Sequence, residues 1–291
     1  MHLCTRLSIL IATATACSSD KATLESDTSD ASNHSDSDSD GGPSGLEPED
    51  APTDEVVAEP LFEVTGGAYD IALAPDGRIF VSIKESRIDV WDPEVAWVET
   101  LTDRAGSVFG IEWHEDSLYY TTSVHRQAGS LLRLDGRDGV QIASAAGDTV
   151  FREPTDLAMA PDGNWVVTDP TVGTLFVVSP DGSSAQMVEP GVSEPSTVTA
   201  DDTYVYVGGI SGVTRIDWPG GEPELIDNRT VNGLHLVAGE LWATGPEWGV
   251  FYVGTDTRVG MEEIRLAGRM DGDSPLYVTD WGGAAVWAST P

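Results

Sequence analysis

The residues able to do chemistry form a sparse, regularly spaced set. Glu112 and His235 stand near predicted inner strands, as does His114. A carboxylate and an imidazole on neighbouring strands are suited to proton transfer. Asp70 and Asp156 each follow the residue that opens a predicted strand, Tyr69 and Thr155, and Asn232 opens another. Tyr69, Phe109, Trp248 and Trp281 bring aromatic rings to the same strands or to loops after second strands. Exposed there, they would make a platform for a sugar, a peptide or a partner protein. His125 falls in a loop and reads as solvated. No serine has a base at a recognisable spacing, so nucleophilic catalysis lacks support. Asp135-Gly136-Arg137-Asp138-Gly139 is an interstrand turn and not a phosphate loop, because no helix follows it.

A repeated hairpin has to position these residues. In Gly67 to Ser82, Ile71 and Leu73 alternate with small residues. Ala74-Pro75-Asp76-Gly77 supplies a turn in which Pro sets φ and Gly closes, and Arg78 to Ser82 returns as a β-branched and aromatic strand. The unit recurs at Phe109-Gly110-Ile111, Thr155-Asp156-Leu157, Ser196-Thr197-Val198, Asn232-Gly233-Leu234 and Pro275-Leu276-Tyr277, at intervals of 36 to 46 residues. That is the period of a four-strand propeller blade. The fold expected is all-β, a six-bladed β-propeller over residues 55–291. The last repeat reaches only two strands, so Glu55-Val56-Val57-Ala58 and Leu61-Phe62-Glu63-Val64 are expected to supply its two outer strands and close the ring.

Tyr69-Asp70-Ile71-Ala72-Leu73-Ala74-Pro75-Asp76-Gly77 and Thr155-Asp156-Leu157-Ala158-Met159-Ala160-Pro161-Asp162-Gly163 resemble NHL-repeat propellers. Asn232-Gly233-Leu234 and Thr168-Asp169-Pro170 resemble pieces of the gluconolactonase and senescence-marker-protein family. That resemblance implies a divalent metal at the channel mouth, held by acidic and Asn side chains just before inner strands, with a position open for water or a lactone oxygen. Here the ring reads Tyr69, Phe109, Thr155, Ser196, Asn232, Pro275, and only Asn232 matches an implied ligand. Strand alternation turns Asp70 and Asp156 the other way. Streptogramin-lyase-like propellers have a similar repeat and use histidine at the mouth.

Composition narrows the partners. The net charge of −34 excludes nucleic acid as a natural partner, since phosphate neutralisation needs a basic stripe. Only Cys4 and Cys17 occur, so the propeller has neither disulfide nor thiolate metal site. Residues 1–16 have the n-region and short apolar run of a signal peptide, and Ala14-Thr15-Ala16-Cys17 resembles a bacterial lipobox. Cys17 would carry the lipid. Residues 17–54 read as a disordered acidic tether, rich in Ser, Asp, Gly and Pro.

These readings lead to a monomeric, lipid-anchored protein of the bacterial cell envelope, at the outer membrane in a Gram-negative cell. Its propeller is expected to bind a protein, a sugar or another small molecule without catalysis and without a cofactor. The site residues expected at the mouth are Tyr69, Asp70, Phe109, Glu112, Thr155, Asp156, Asn232, His235, Trp248 and Trp281. The alternative is a divergent gluconolactonase-type lactone or ester hydrolase dependent on a divalent cation such as Ca²⁺.

Overall fold

The repeated turn forms as its residues dictate. The Gly77 amide donates to the Ala74 carbonyl at 2.9 Å, and Asp76 Oδ1 accepts from the Arg78 amide at 3.2 Å. Gly77 takes φ of 86°, a conformation that a side chain would strain. Ala160 to Asn164 repeat the same bonds, with Gly163 at φ 79°. The computed structural model describes residues 58–83, 87–103, 106–124, 126, 128–259, 267–272, 275–280 and 285–289. All belong to one unit, Asp50–Pro291.

Within it the hairpins assemble into six four-stranded antiparallel sheets. Blade 1 runs outward through Ala68–Leu73, Ile79–Ile83, Arg87–Asp92 and Trp97–Thr102. Blade 2 comprises Ser107–His114, Ser117–Val124, Ala128–Asp135 and Asp138–Ala143. Blade 3 comprises Asp156–Met159, Trp165–Asp169, Thr174–Val178 and Ala185–Val188. Blade 4 has Thr197–Ala200, Tyr204–Gly209, Gly212–Asp217 and Glu224–Asp227, and blade 5 has Gly233–Val237, Glu240–Gly245, Gly249–Tyr252 and Arg258–Val259. Each inner strand touches the next, and that of the sixth blade touches that of the first. The molecule is an all-β, six-bladed propeller.

The ring closes as expected, by pairing strands from the two ends of the chain, but the division of strands differs. Blade 6 starts from Ala267–Asp271 as its inner strand, then Leu276–Asp280 and Ala285–Ser289, and takes a single outer strand, Ala58–Glu63, from the other end of the chain. Pro275-Leu276-Tyr277 therefore opens a second strand and not an inner one. The apolar alternation of Leu276 to Val278 imitates an inner strand, whereas Gly268-Arg269-Met270 puts a long cationic side chain where the other inner strands have Asp, Gly or Thr. Phe62 and Glu63 pair as expected, with Val286 and Ala285, and Leu61 falls in a bulge between Pro60 and Phe62. Residues 55–57, the signal peptide, Cys17 and the tether at 17–54 lie outside the described residues.

The core is a ring of apolar seams between blades. Phe80 and Ile88 of blade 1 meet Ile111 and Tyr120 of blade 2, and Leu131 of blade 2 meets Trp165 and Phe176 of blade 3. At the closing seam Val286 of blade 6 packs with Ile71, Ile79 and Val81 of blade 1. Phe62 of the clasp strand stacks on Trp91 of blade 1, with ring centroids 5.5 Å apart. Ile79 is fully buried there. Ile79→Ala should therefore cost about 2–5 kcal/mol in urea unfolding, while Leu225→Ala, on the exposed outer strand of blade 4, should change stability by less than about 0.5 kcal/mol. A near-zero cost at Ile79 would mean that the ring is not sealed at this seam.

Candidate functional site

Short polar side chains tie the inner strands together along the channel. The amides of Asp70, Gly110 and Arg269 donate to hydroxyls of their own second strands, Ser82 at 3.0 Å, Thr121 at 3.0 Å and Thr279 at 2.8 Å. Those hydroxyls and their counterparts also bridge blades. Ser82 donates to the Phe109 carbonyl at 2.6 Å, Thr155 to Ser196 at 3.0 Å and Thr279 to Tyr69 at 3.3 Å. Carboxylates at the ring position reach further. Asp70 accepts from the amides of Ile71 and Ile111, each at 2.8 Å, and Asp156 from Leu157 at 2.9 Å and Val198 at 2.8 Å. Between blades 2 and 3 the ring position is Gly110. A Cβ there would lie 2.6 Å from the Asp156 Cα, so these strands meet backbone to backbone.

From blade 6 the Arg269 side chain crosses the channel. Its guanidinium pairs with Asp156 of blade 3 and donates to the carbonyls of Thr155, at 3.4 Å, and Ser196. It lies 5.6 Å from the centre of the Tyr69 ring. Tyr69 in turn meets Phe109 edge to face, with centroids 5.2 Å apart. Arg269 is only 3 % exposed. Burial opposes its charge, but Asp156, Tyr69 and Asp70 hold the proton more tightly than on a free guanidinium. Burial pushes Asp156 up, against the opposing effect of Arg269 and of donors from Val198, Thr197 and Leu157.

This plug lies between two cavities. The one at the mouth, where the inner strands start, has a volume of about 640 Å³ and is lined by Tyr69, Phe109, Thr155, Ser196 and Asn232, with Glu153 and Glu194 at its side. The smaller one behind the plug, about 270 Å³, is lined by Asp70, Glu112, Asp156, His235, Arg269 and Asp271.

Four of the residues expected at the mouth are therefore together there: Tyr69, Phe109, Thr155 and Asn232. Asp70, Asp156, Glu112 and His235 instead line the cavity behind the plug, because alternation along each inner strand sends successive side chains to different sides. His235 faces Asp271, at 3.8 Å, and forms no pair with Glu112. Trp248 lines neither cavity. It is half-buried, between the guanidinium groups of Arg229 and Arg258 at 5.1 and 4.5 Å. His114 packs edge-on against Trp165 in the seam between blades 2 and 3. Trp281 and His125 lie outside the described residues.

Several residues of the site escaped the sequence reading. Glu153 and Glu194 reach the mouth from three residues before the ring positions of blades 3 and 4. The signal was a repeat, Glu153-Pro154-Thr155-Asp156 against Glu194-Pro195-Ser196-Thr197. Asp169, fully buried, fixes the first of these loops. One of its oxygens accepts from the amides of Arg152 and Glu153 at 2.6 and 3.0 Å, the other from Thr171 and Val172 at 3.1 Å each. Arg126 then caps Glu153 at 2.9 Å, and the Thr171 hydroxyl donates to the other Glu153 oxygen at 2.8 Å.

The donors present do not fit a divalent cation. Glu153 has both oxygens engaged, and among the described residues no three His, Cys, Asp or Glu side chains converge as ligands. The mouth can instead offer hydroxyls, the Asn232 amide and the Tyr69 and Phe109 rings to an uncharged, oxygen-rich ligand.

No family model matches the chain, and no curated protein sequence does. Solved structures do. A gluconolactonase from Xanthomonas campestris is 17% identical with a TM-score of 0.64, and the match covers 82% of this chain and 90% of that one. The fold is the gluconolactonase-like six-bladed propeller. The PQQ-bound aldose sugar dehydrogenase of Streptomyces coelicolor shares it at 14% identity and a TM-score of 0.60, covering 82% and 99%. So does virginiamycin B lyase of Staphylococcus aureus, at 10% and 0.57, covering 81% and 99%.

Behind the plug, burial raises the Glu112 carboxyl well above the usual range, and the charges of Asp271, Asp156 and Asp70 raise it further. A carboxyl raised on folding binds its proton more tightly in the native state. Its contribution to stability is therefore present at acidic pH and is lost as pH rises from the unfolded value toward the folded one. Glu112→Gln should raise the melting temperature at pH 8 and have little effect at pH 4. A Gln variant equally displaced at both values would mean that Glu112 does not titrate in this cavity.

Proposed function

We propose that this propeller acts on a small, uncharged, polyhydroxylated ring compound at the channel mouth, a sugar lactone or related ester, as a hydrolase of the gluconolactonase type. The observation that carries this reading is the mouth cavity. Its volume of about 640 Å³ falls in the range of small-molecule sites, and it combines two aromatic rings with the Asn232 amide and several hydroxyls. The solved relatives that share the fold, named as a gluconolactonase and a sugar dehydrogenase, support a sugar-derived substrate. The chemistry is proposed for the chain's own groups: hydroxyl and amide donors to hold the ligand, and the mouth glutamates to accept a proton from water.

One observation favours a second reading, binding without turnover. Glu153, the better buried of the two mouth glutamates, is held by Arg126 and Thr171 and is poorly placed to take a proton. Both readings use the same ligand class, so one experiment separates them. Hydrolysis of glucono-δ-lactone, followed by proton release, should be catalysed by the purified propeller, and calorimetry with a non-hydrolysable lactam should show binding. Phe109→Ala and Asn232→Ala should each weaken binding about tenfold. Binding without proton release selects the second reading, and the absence of both overturns the proposal.

The envelope setting is also proposed. Cys17 would be lipidated, with residues 17–54 as a tether and the propeller as a monomer beyond it, in the periplasm or on the cell surface. Among the described residues no helix is long and apolar enough to cross a membrane. Cys17→Ala should move the protein from the membrane fraction to the soluble one; an unchanged distribution would rule out the lipid anchor.

A further inference from the structure

We infer that the mouth is shaped for a ligand with an apolar substituent: a polyol lactone or ester carrying a short alkyl or acyl chain. Its oxygens face the ring-position residues and its chain lies along the rim of blades 3 and 4. This names the substrate class of the lactone and ester reading above and rests on it.

The likeness of successive blades locates the rim. Thr168 pairs with Asp156 in blade 3, and Gly208 pairs with Thr197 in blade 4. Asp156 and Thr197 hold the same ring position, so Thr168 corresponds to Gly208 and Pro170 to Ile210. Both Pro170 and Ile210 line the mouth. In blade 5 Thr244 pairs with Gly233, which makes the exposed Pro246 the next member of the series. In blade 2 the Gly110 amide bonds Thr121, and the matching position is Ser123, which also lines the mouth. The rim therefore changes from a hydroxyl in blade 2 to apolar side chains in blades 3, 4 and 5.

Ile210 is 51 % exposed, yet its turn is firmly held. Its amide donates to the Ser193 carbonyl at 3.1 Å, and its carbonyl accepts from the Thr230 hydroxyl at 2.8 Å. The Val231 amide donates to the Gly209 carbonyl at 3.3 Å. A Cβ on Gly209 would lie 2.5 Å from the Ser193 oxygen and 2.8 Å from that of Glu194, so only glycine lets the turn come this close. The turn is thus fastened to the segments that enter blades 4 and 5. Exposed apolar residues are ordinary one at a time. Here two stand at matching positions on one cavity, with the buried Val231 also in its lining.

The volume agrees with a substituent. At about 640 Å³ the mouth holds more than a single sugar ring fills. A ring bound at the Thr155 and Ser196 positions leaves the Pro170 and Ile210 side to water, and hydrocarbon placed there releases that water. A carboxylate-ended chain is disfavoured, because Glu194 lines the mouth next to Ser193, the residue to which the Ile210 amide is bonded.

The test uses the full chain and the lactam of the previous section, unsubstituted or with a butyl or hexyl group on O6 or on the ring nitrogen. Calorimetry gives, for each protein, the ratio of hexyl to unsubstituted affinity. In the wild type that ratio should reach about tenfold or more in one of the two series, about two- to threefold for each pair of methylenes. In I210S it should fall to about threefold or less, and I210V should restore most of it. L225S, which removes an equally exposed leucine from the outer strand of blade 4, should leave the ratio as in the wild type. If I210S does not fold, I210N takes its place, since asparagine suits an exposed turn. Binding of the lactam with no gain from the chain in either series overturns the inference and leaves the small-molecule reading standing. A gain that survives loss of Ile210 overturns it as well, because the chain then rests elsewhere. If neither the lactam nor any derivative binds, the small-molecule reading falls and this inference falls with it.

Discussion

The Arg269–Asp156 pair across the channel is the interaction on which the centre of this propeller depends. Six inner strands converge on an axis where their ring positions are Asp70, Gly110, Asp156, Thr197, Gly233 and Arg269, and this is the crowded, desolvated part of the molecule. Each charge there would be costly alone. Removing one partner of such a pair typically costs about 3–5 kcal/mol, because the other is left buried and uncompensated. Together with the carbonyls of Thr155 and Ser196, the pair lies between the mouth and the cavity behind it. The two cavities consequently differ in chemistry. The mouth is lined by hydroxyls, an amide and aromatic rings, while Glu112, Asp70 and Asp271 make the inner cavity acidic.

Two kinds of interaction divide the rest of the work. Between blades, apolar seams provide most of the burial, and they do so at every junction, including the one where the clasp strand joins blade 6 to blade 1. Near the axis the strands come too close for large side chains. There, Ser and Thr hydroxyls and the carboxylates of Asp70 and Asp156 satisfy backbone amides, and the hydroxyls also donate to carbonyls of the next blade. A buried amide without a partner is expensive, so these short polar residues are part of the fold before they are part of any site. Asp169 shows the two roles merging: its four amide bonds close a loop, and that loop presents Glu153 to the mouth.

How much of this the sequence discloses follows from the range of each interaction. The blades were legible because hairpin turns and β-branched alternation are local, and Ala74 to Gly77 fold as their residue types require. The mouth residues Tyr69, Phe109, Thr155 and Asn232 were legible because they hold one register position in successive repeats. Closure was half legible. Phe62 and Glu63 do pair with the other end of the chain, but the inner strand of blade 6 was hidden by the charge of Arg269. Arg269 looks like an exposed charge in one dimension. Its partners stand 113 and 73 positions away, at Asp156 and Ser196, so no local pattern points to them. The Glu-Pro repeat before Asp156 and Thr197 was readable, and was missed because the alignment began two residues too late.

The geometry also bears on how far the fold relatives can guide function. A shared fold fixes where strands begin and therefore where side chains converge, but it does not fix which side chains those are. In this chain the position that would need an acidic ligand in blade 1 is Tyr69, and its neighbour Asp70 turns away to bind the amides of Ile71 and Ile111. Glu153 reaches the mouth but is neutralised by Arg126. Charge at the mouth is thus largely paired, whereas the protein as a whole carries −34. An anionic substrate would meet a repulsive field on approach and no unengaged cation on arrival among the described residues lining the mouth. A neutral ring compound incurs neither penalty.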